Sequence, residues 1–212
     1  MTNYEGGLWH SEAIAAPSEA TLRLLRDASL LGHFYLAGGT ALALQFGHRL
    51  SQDLDFFAAD MFDEQSLLQR LQTLKAFSLV AEAPHTLHTT IQGSRVTFLG
   101  YAYPALFPFL RFLDVAVADP RDIACMKVSA IASRGTKRDF VDLYVSARRF
   151  ELANILKWFD RKYSQTHHNK LHLLKSLTFF DDAEKDPMPH MLVPLDWEEV
   201  KRFFVQGVPA LV

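Results

Sequence analysis

The chain has a single cysteine, Cys125, among 212 residues. That excludes an internal disulfide framework and fits a reducing compartment. No stretch approaches the length of uninterrupted apolar residues that crosses a bilayer, so no membrane span is expected. The opening "MTNYEGGLWHSEA" lacks a basic start followed by an apolar run, which argues against a signal peptide. Internal repeats and low-complexity tracts are absent. So are the Gly-x4-Gly-Lys-Ser/Thr loop of P-loop proteins and the His-Glu-x-x-His pair of zinc proteases. Strong charge of either sign is missing too: the net charge is −2, too small a field to attract nucleic acid to the molecule as a whole. The expectation is a soluble, cytoplasmic protein.

What is present is apolar surface, and an uneven distribution of charge. About half the residues are apolar and 17 are Phe, ample for one large domain or two small ones. Residues 121–175 hold 12 Lys/Arg against 5 Asp/Glu, while the rest of the chain is acidic. Such a segment is either a set of solvated helix faces or one side of a surface for a phosphate-bearing partner.

Up to about Ala118, strands and helices mix. "APSEATLRLLRDASLLG" reads as a helix with Ser18 as N-cap and Gly32 as its stop. "HFYLAG" and "DLDFFAA" read as strands, "TALALQFGH" and "DEQSLLQRLQTLKA" as helices. The runs "FSLVAEA", "TLHTTIQ", "RVTFLGYA" and "FLDVAVA" have β character, with a hairpin turn at Gly93 and Ser94. After Asp119 only helical patterns follow, apart from the proline-punctuated "DDAEKDPMPHMLVP", which reads as a loop. The fold class is therefore α+β, a core over residues 1–118 followed by a helical region over 119–212.

The chemistry concentrates in "LAGGTALALQFGHRLSQDLDFFA". Asp53 and Asp55 are two apart on a strand and so project from one face, with Leu54 pointing the other way. Two adjacent carboxylates repel and raise each other's pKa. A divalent cation relieves this, and Mg²⁺ prefers hard oxygen ligands together with water and phosphate. Gly38 and Gly39 stand between a strand and a helix, where a backbone without Cβ atoms can approach a ligand and the helix start offers N–H groups and a positive dipole end. An ordinary tight turn is the plain alternative. Downstream, Lys127 and Arg134 are seven apart on one helix face and could grip phosphates. Asp139 and Asp142 could fix neighbouring cations, touch a ribose or base, or belong to a helix–helix salt-bridge network, with Asp142 in apolar "FVDLY" the better structural candidate. An unpaired lysine at position 127 would be expendable for folding. The pairs His85/His88 and His167, His168 and His172 lack cysteine partners and read as basic surface rather than a zinc site. Cys125 and the aromatics of "FPFL" and "FFDD" read as core.

"GGT…HRLSQDLDFF" resembles the metal-binding signature of nucleotidyltransferases with a DNA-polymerase-β-like core. More narrowly, Gly38, Gly39, Thr40, His48, Arg49, Ser51, Asp53 and Asp55 resemble the AbiEii/AbiGii toxin family, whose members are toxin halves of toxin–antitoxin and phage-abortive systems. "DIACMKVSAIASRGTKRDFVDLY" is similar to that family's downstream motif at Lys127, Arg134, Gly135, Lys137, Asp139 and Asp142. The resemblance implies a small twisted mixed sheet with helices, then an all-helical region closing a nucleotide cleft. It implies Mg²⁺-dependent transfer of a nucleoside monophosphate from an NTP to an acceptor hydroxyl. The acceptor would be RNA, tRNA among the candidates, with a protein or small-molecule hydroxyl also open, and a cognate antitoxin would be a partner. Asp53 and Asp55 would bind the metal, and they and Lys127 would be the catalytic residues. Gly38, Gly39, Thr40, Arg49, Ser51, Arg134, Lys137, Asp139 and Asp142 would bind the nucleotide. One departure stands out. Where these enzymes carry a third carboxylate on a neighbouring strand, the chain has Thr97, and Asp114 is the only other acid nearby in a strand pattern. The alternatives are a nucleotide-binding module of the same fold with impaired catalysis and an Asp-x-Asp metal-dependent phosphohydrolase.

Overall fold

A computed structural model describes residues 8–211. The opening residues 1–7, part of the segment read above for a signal peptide, lie outside the described residues. The chain forms two compact units: residues up to Pro104 with Pro108–Ala118, and Ala105–Phe107 with Asp119 onward.

Unit 1 is built on a seven-stranded mixed sheet in the order β3-β4-β5-β2-β1-β7-β6. The strands are β1 (Tyr35–Ala37), β2 (Leu54–Ala58), β3 (Phe77–Ala83), β4 (Thr86–Ile91), β5 (Ser94–Gly100), β6 (Leu110–Phe112) and β7 (Val115–Val117). β1 runs antiparallel to β2 and parallel to β7, and β2 runs parallel to β5. Three helices, α1 (Ala16–Asp27), α2 (Gly38–Phe46) and α3 (Glu64–Leu71), belong to this unit. Period-2 alternation decides which face of the sheet is covered. Leu54, Phe56 and Ala58 of β2, Val96 and Phe98 of β5 and Leu87 and Ile91 of β4 are buried, together with Leu22 and Leu25 of α1. Phe56 stacks on Phe98 with ring centroids 5.5 Å apart.

Three local readings change. α1 begins at Ala16, so Ser18 lies inside it rather than at its cap, and the helix stops at Asp27, well before Gly32. The β4–β5 turn centres on Gln92 and Gly93, both at positive φ, which gives the strand twist a tight hairpin needs; Ser94 already belongs to β5. "FLDVAVA" is two strands rather than one. Leu113 and Asp114 turn between β6 and β7 at φ +49° and +62°, and the Asp114 carbonyl accepts from Arg111 at 2.8 Å.

Unit 2 contains α4 (Pro120–Ser133), α5 (Lys137–Phe150), α6 (Leu152–Lys162), α7 (Lys170–Ser176), α8 (Asp181–Glu184) and α9 (Trp197–Gly207). The Asp119 side chain caps α4 and Pro120 occupies its first turn, where a missing N–H costs nothing. α8 is one helical turn within the segment read as a loop. Phe140 packs against Phe180, Trp197 and Phe204, with centroids 5.0, 6.0 and 5.6 Å away. No helix among the described residues is long and apolar enough to cross a membrane.

Candidate active site

In the β1–β2 register, Ala37 pairs with Asp55, so α2 begins beside the second carboxylate of the Asp-Leu-Asp motif. Gly38 turns the chain at φ +68°, and a Cβ added there would lie 2.8 Å from Asp55 Oδ2. Glycine is required on both counts: other residues pay about 1–2 kcal/mol for this conformation, and the carboxylate leaves no room. The residue before the helix is Ala37, whose side chain makes no cap at the N-terminus of α2. The first N–H groups of the helix therefore lie next to Asp55 without a cap from the preceding residue.

The lead-in to the carboxylates is held from several sides. The Thr40 and Ser51 hydroxyls are 2.8 Å apart, and Thr40 also donates to the carbonyl of Asp53. Ser51 pairs with the segment before α1: its N–H donates to Ala13 O at 2.8 Å and its carbonyl accepts from Ala15 N–H at 3.0 Å. The Ser18 hydroxyl donates to Gln52 O at 2.5 Å. Thr40, Ser51 and Arg49 are all buried, and Arg49 donates to Leu50 O at 3.2 Å. All three were expected at a nucleotide, Thr40 through its backbone N–H. In the structure their side chains brace the loop from inside. His48 is buried beneath the same loop.

Asp53, Asp55 and Phe57 alternate with the core residues of β2 and stay partly exposed on the other face. Arg95 Nε lies 3.3 Å from Asp53 Oδ1 and is itself largely exposed. Directly across β5 from Asp55 stands Thr97, and across β4 from Thr97 stands His88, with Nδ1 and Oγ1 3.4 Å apart. The strand position beside the acid pair is thus a threonine, and Asp114 is confined to its hairpin turn. Among the described residues no group of three or more His, Cys, Asp or Glu is placed to share a metal. The pair nevertheless fits Mg²⁺. It offers two hard oxygen donors on one half-open face, beside a backbone cradle that a Cβ would fill, and this ion habitually completes its shell with water and phosphate.

In unit 2 the second motif forms one buried knot. Lys127 Nζ lies 2.9 Å from Asp139 Oδ1 and 2.7 Å from Asp142 Oδ2, all three groups almost wholly inaccessible. Arg134 Nε reaches Asp139 Oδ2 at 3.0 Å while keeping 65% of its side chain exposed, and the Thr136 hydroxyl donates to the same oxygen at 2.6 Å. Burial opposes the charge of Asp139, but Lys127 first, then Arg134 and Thr136, outweigh it and hold its pKa at about 2. Lys127 is accordingly no expendable lysine: two of its three donors serve carboxylates. Lys137 is not part of this knot. Its Nζ donates to Asp186 O at 2.7 Å and lies 5.1 Å from the Trp197 ring centroid, tying α5 to the segment before α9.

The basic stretch is also partly internal. Lys162 is buried and bonds Asp122 at 2.8 Å, and the Asp122 carboxylate accepts from the N–H groups of Leu106 and Phe107 as well. Cys125 is buried, which pushes its thiol up. Two aromatics read as core are not: Phe179 is 55% and Phe109 44% exposed.

The family profile described as "Nucleotidyl transferase AbiEii toxin, Type IV TA system" matches residues 22–107 and 94–211. The uncharacterized protein aq_aa25 of Aquifex aeolicus is 36% identical over 181 residues, covering 82% of this chain and 86% of its own. Two solved structures share the fold: JHP933 from Helicobacter pylori (18% identity, TM-score 0.55, covering 92% of this chain and 90% of that one) and MenT4, a nucleotidyltransferase toxin of Mycobacterium tuberculosis H37Rv (16%, 0.55, 93% and 87%). With a profile match that runs through both motifs and a relative of this identity over most of its length, the chain belongs to the AbiEii nucleotidyltransferase toxin family.

Proposed function

We propose that this nucleotidyltransferase moves a nucleoside monophosphate from an NTP to a hydroxyl of RNA, in an Mg²⁺-dependent reaction. The observation that carries the reading is the contact between Gly38 and Asp55: a glycine held at positive φ against a carboxylate, with Asp53 on the same face and a helix start preceded by Ala37, which offers no cap, alongside. Asp53 and Asp55 would hold the metal, which when bound neutralises phosphate charge. The N–H groups of Gly39 and Thr40 suit the outer phosphates. In unit 2, Arg134 carries the exposed cation that suits phosphate oxygens, and Lys127 with Asp139 and Asp142 fixes it in place. In the reaction the acceptor oxygen bonds to the α-phosphorus, and the bond from that phosphorus to the bridging oxygen of the β-phosphate breaks. Pyrophosphate leaves with the electron pair, and the hydroxyl proton passes to water.

RNA is the favoured acceptor because cations remain on the surface of unit 2 after the internal pairs are discounted: Lys157, Arg161, Lys170 and Lys175 are all exposed. Family membership supports a cognate antitoxin as partner. Incubation with each labelled NTP and total RNA tests the reaction. Label in RNA with pyrophosphate release is expected. Release of orthophosphate would indicate a phosphohydrolase instead. Thr97 beside Asp55 supports a second reading, a nucleotide-binding module of the same fold, which would show Mg²⁺-dependent NTP binding without turnover.

A further inference from the structure

A pocket of about 320 Å³ opens in unit 2 between the end of α4 and the α7–α8 segment. Arg134, His172, Lys175, Phe179 and Asp182 are among its lining residues. Asp182 is ion-paired to Lys185 at 2.8 Å, which offsets its charge. Lys175 makes no ion pair among the described residues. The end of α4 adds roughly half a negative charge and Arg134 shares its charge with Asp139, so the net positive charge of the pocket rests on Lys175. Phe179 presents more than half its surface to water. Gly135, at φ +54°, ends α4 and turns the chain, so that Arg134 belongs both to the knot with Asp139 and to the pocket wall.

An exposed ring interleaved with cations is the chemistry that holds single-stranded nucleic acid: bases stack on the ring and the backbone follows the charge. The volume is at the low end for ligand pockets, enough for one base with its phosphate and too small for a duplex. We propose that this pocket binds one unpaired nucleotide of the acceptor RNA, its base stacked on Phe179, its phosphate held by Lys175 and Arg134, and His172 within reach for a hydrogen bond. The proposal rests on the RNA-transfer reading above and gives that reading a site for the acceptor.

The test is oligonucleotide binding, which does not require turnover. A fluorescent single-stranded RNA is titrated against wild type, Phe179→Ala, Lys175→Glu and Lys175→Arg, with folding of each checked by circular dichroism. Loss of one stacked base weakens binding roughly 5- to 150-fold, the range expected for Phe179→Ala. Lys175→Glu should weaken it at least tenfold and lower the salt slope by about one, while Lys175→Arg retains affinity. Duplex RNA of the same sequence should bind more weakly than the single strand. In turnover the KM for RNA should rise in both damaged variants with the KM for NTP unchanged. Single-strand binding unaffected by Phe179→Ala and Lys175→Glu, parallel rises in both KM values, or damage confined to binding of a protein partner would each overturn the proposal. If wild type labels no RNA at all yet both variants lose oligonucleotide binding, the pocket stands and the transfer reading falls.

Discussion

Replacing Lys127 with Met is the sharpest perturbation, because it removes one cation and leaves two buried carboxylates. At about 2.8 Å and an effective dielectric near 20, each contact is worth about 6 kcal/mol before desolvation is set against it. Desolvation cancels most of that, and breaking buried pairs by deleting one partner costs about 3–5 kcal/mol. Asp139 keeps Arg134 and Thr136, so the loss of the Lys127 charge weighs more on Asp142, the more deeply buried carboxylate. In the folded variant that carboxylate should gain affinity for a proton, its pKa rising above the unfolded value of about 3.9. A group of this kind destabilises above its unfolded pKa, and the penalty shrinks as pH falls towards about 4. Urea denaturation followed by circular dichroism at pH 7 and pH 5 should show a loss of about 3–5 kcal/mol that narrows at the lower pH. Should the variant not fold at pH 7, Lys127→Met combined with Asp142→Asn removes the charge that Lys127 offset and should fold with a smaller loss, about 1–2 kcal/mol. A Lys127→Met protein within about 1 kcal/mol of wild type, with no pH dependence of the difference, would refute the reasoning.

Gly38→Ala should lose about 1–3 kcal/mol from its left-handed backbone and its clash with Asp55, and Mg²⁺-dependent NTP affinity should fall with it; denaturation and calorimetric titration read the two separately. Asp55→Asn should abolish transfer and most of the melting-temperature gain that Mg²⁺–NTP confers on wild type. Thr97→Asp places a third carboxylate across from Asp55 and should destabilise the metal-free protein by about 1–3 kcal/mol while enlarging the stabilisation by Mg²⁺, both visible in melting curves. The depressed pKa of Asp139 contributes stability that is fully present above about pH 4 and is lost as pH falls towards 2, so Asp139→Asn should flatten the acid limb of a pH–stability curve.

The sequence was most informative where a spacing rule acts within one element. Asp53 and Asp55 share a face because strands alternate, and the glycine pair before a helix reads directly as a turn. Thr97 stood out only because the resemblance led to an acid being sought on that strand; the strand pattern alone does not single it out. Partners across elements were not legible. Whether Lys127 stands alone or between two carboxylates depends on how α4 meets α5, and Lys162 faces Asp122 only because α6 packs on α4. The backbone braces on Ser51 come from Ala13 and Ala15, more than thirty positions away, which no local pattern encodes. Phe179 shows the converse failure. An aromatic next to another aromatic suggests core, yet Phe179 lies between α7 and α8 with its ring more than half exposed. "FLDVAVA" failed because Leu113 and Asp114 adopt positive φ, a state the propensities of leucine disfavour.

The place of β1 in the sheet has a consequence for synthesis. β1 pairs with β2 some twenty residues later, but its other edge waits for Val117, about eighty residues downstream of Leu36. At ribosomal rates of 5–20 residues per second, that edge stays uncovered for about 4–16 s after β1 emerges. During this interval the nascent chain already contains Gly38, Asp53 and Asp55, while the strand that carries the Gly38 turn has a bare row of backbone donors and acceptors. A chain whose segment from Gly38 to Asp55 is complete in sequence long before its supporting sheet closes is most exposed to chaperones and proteases in that same window.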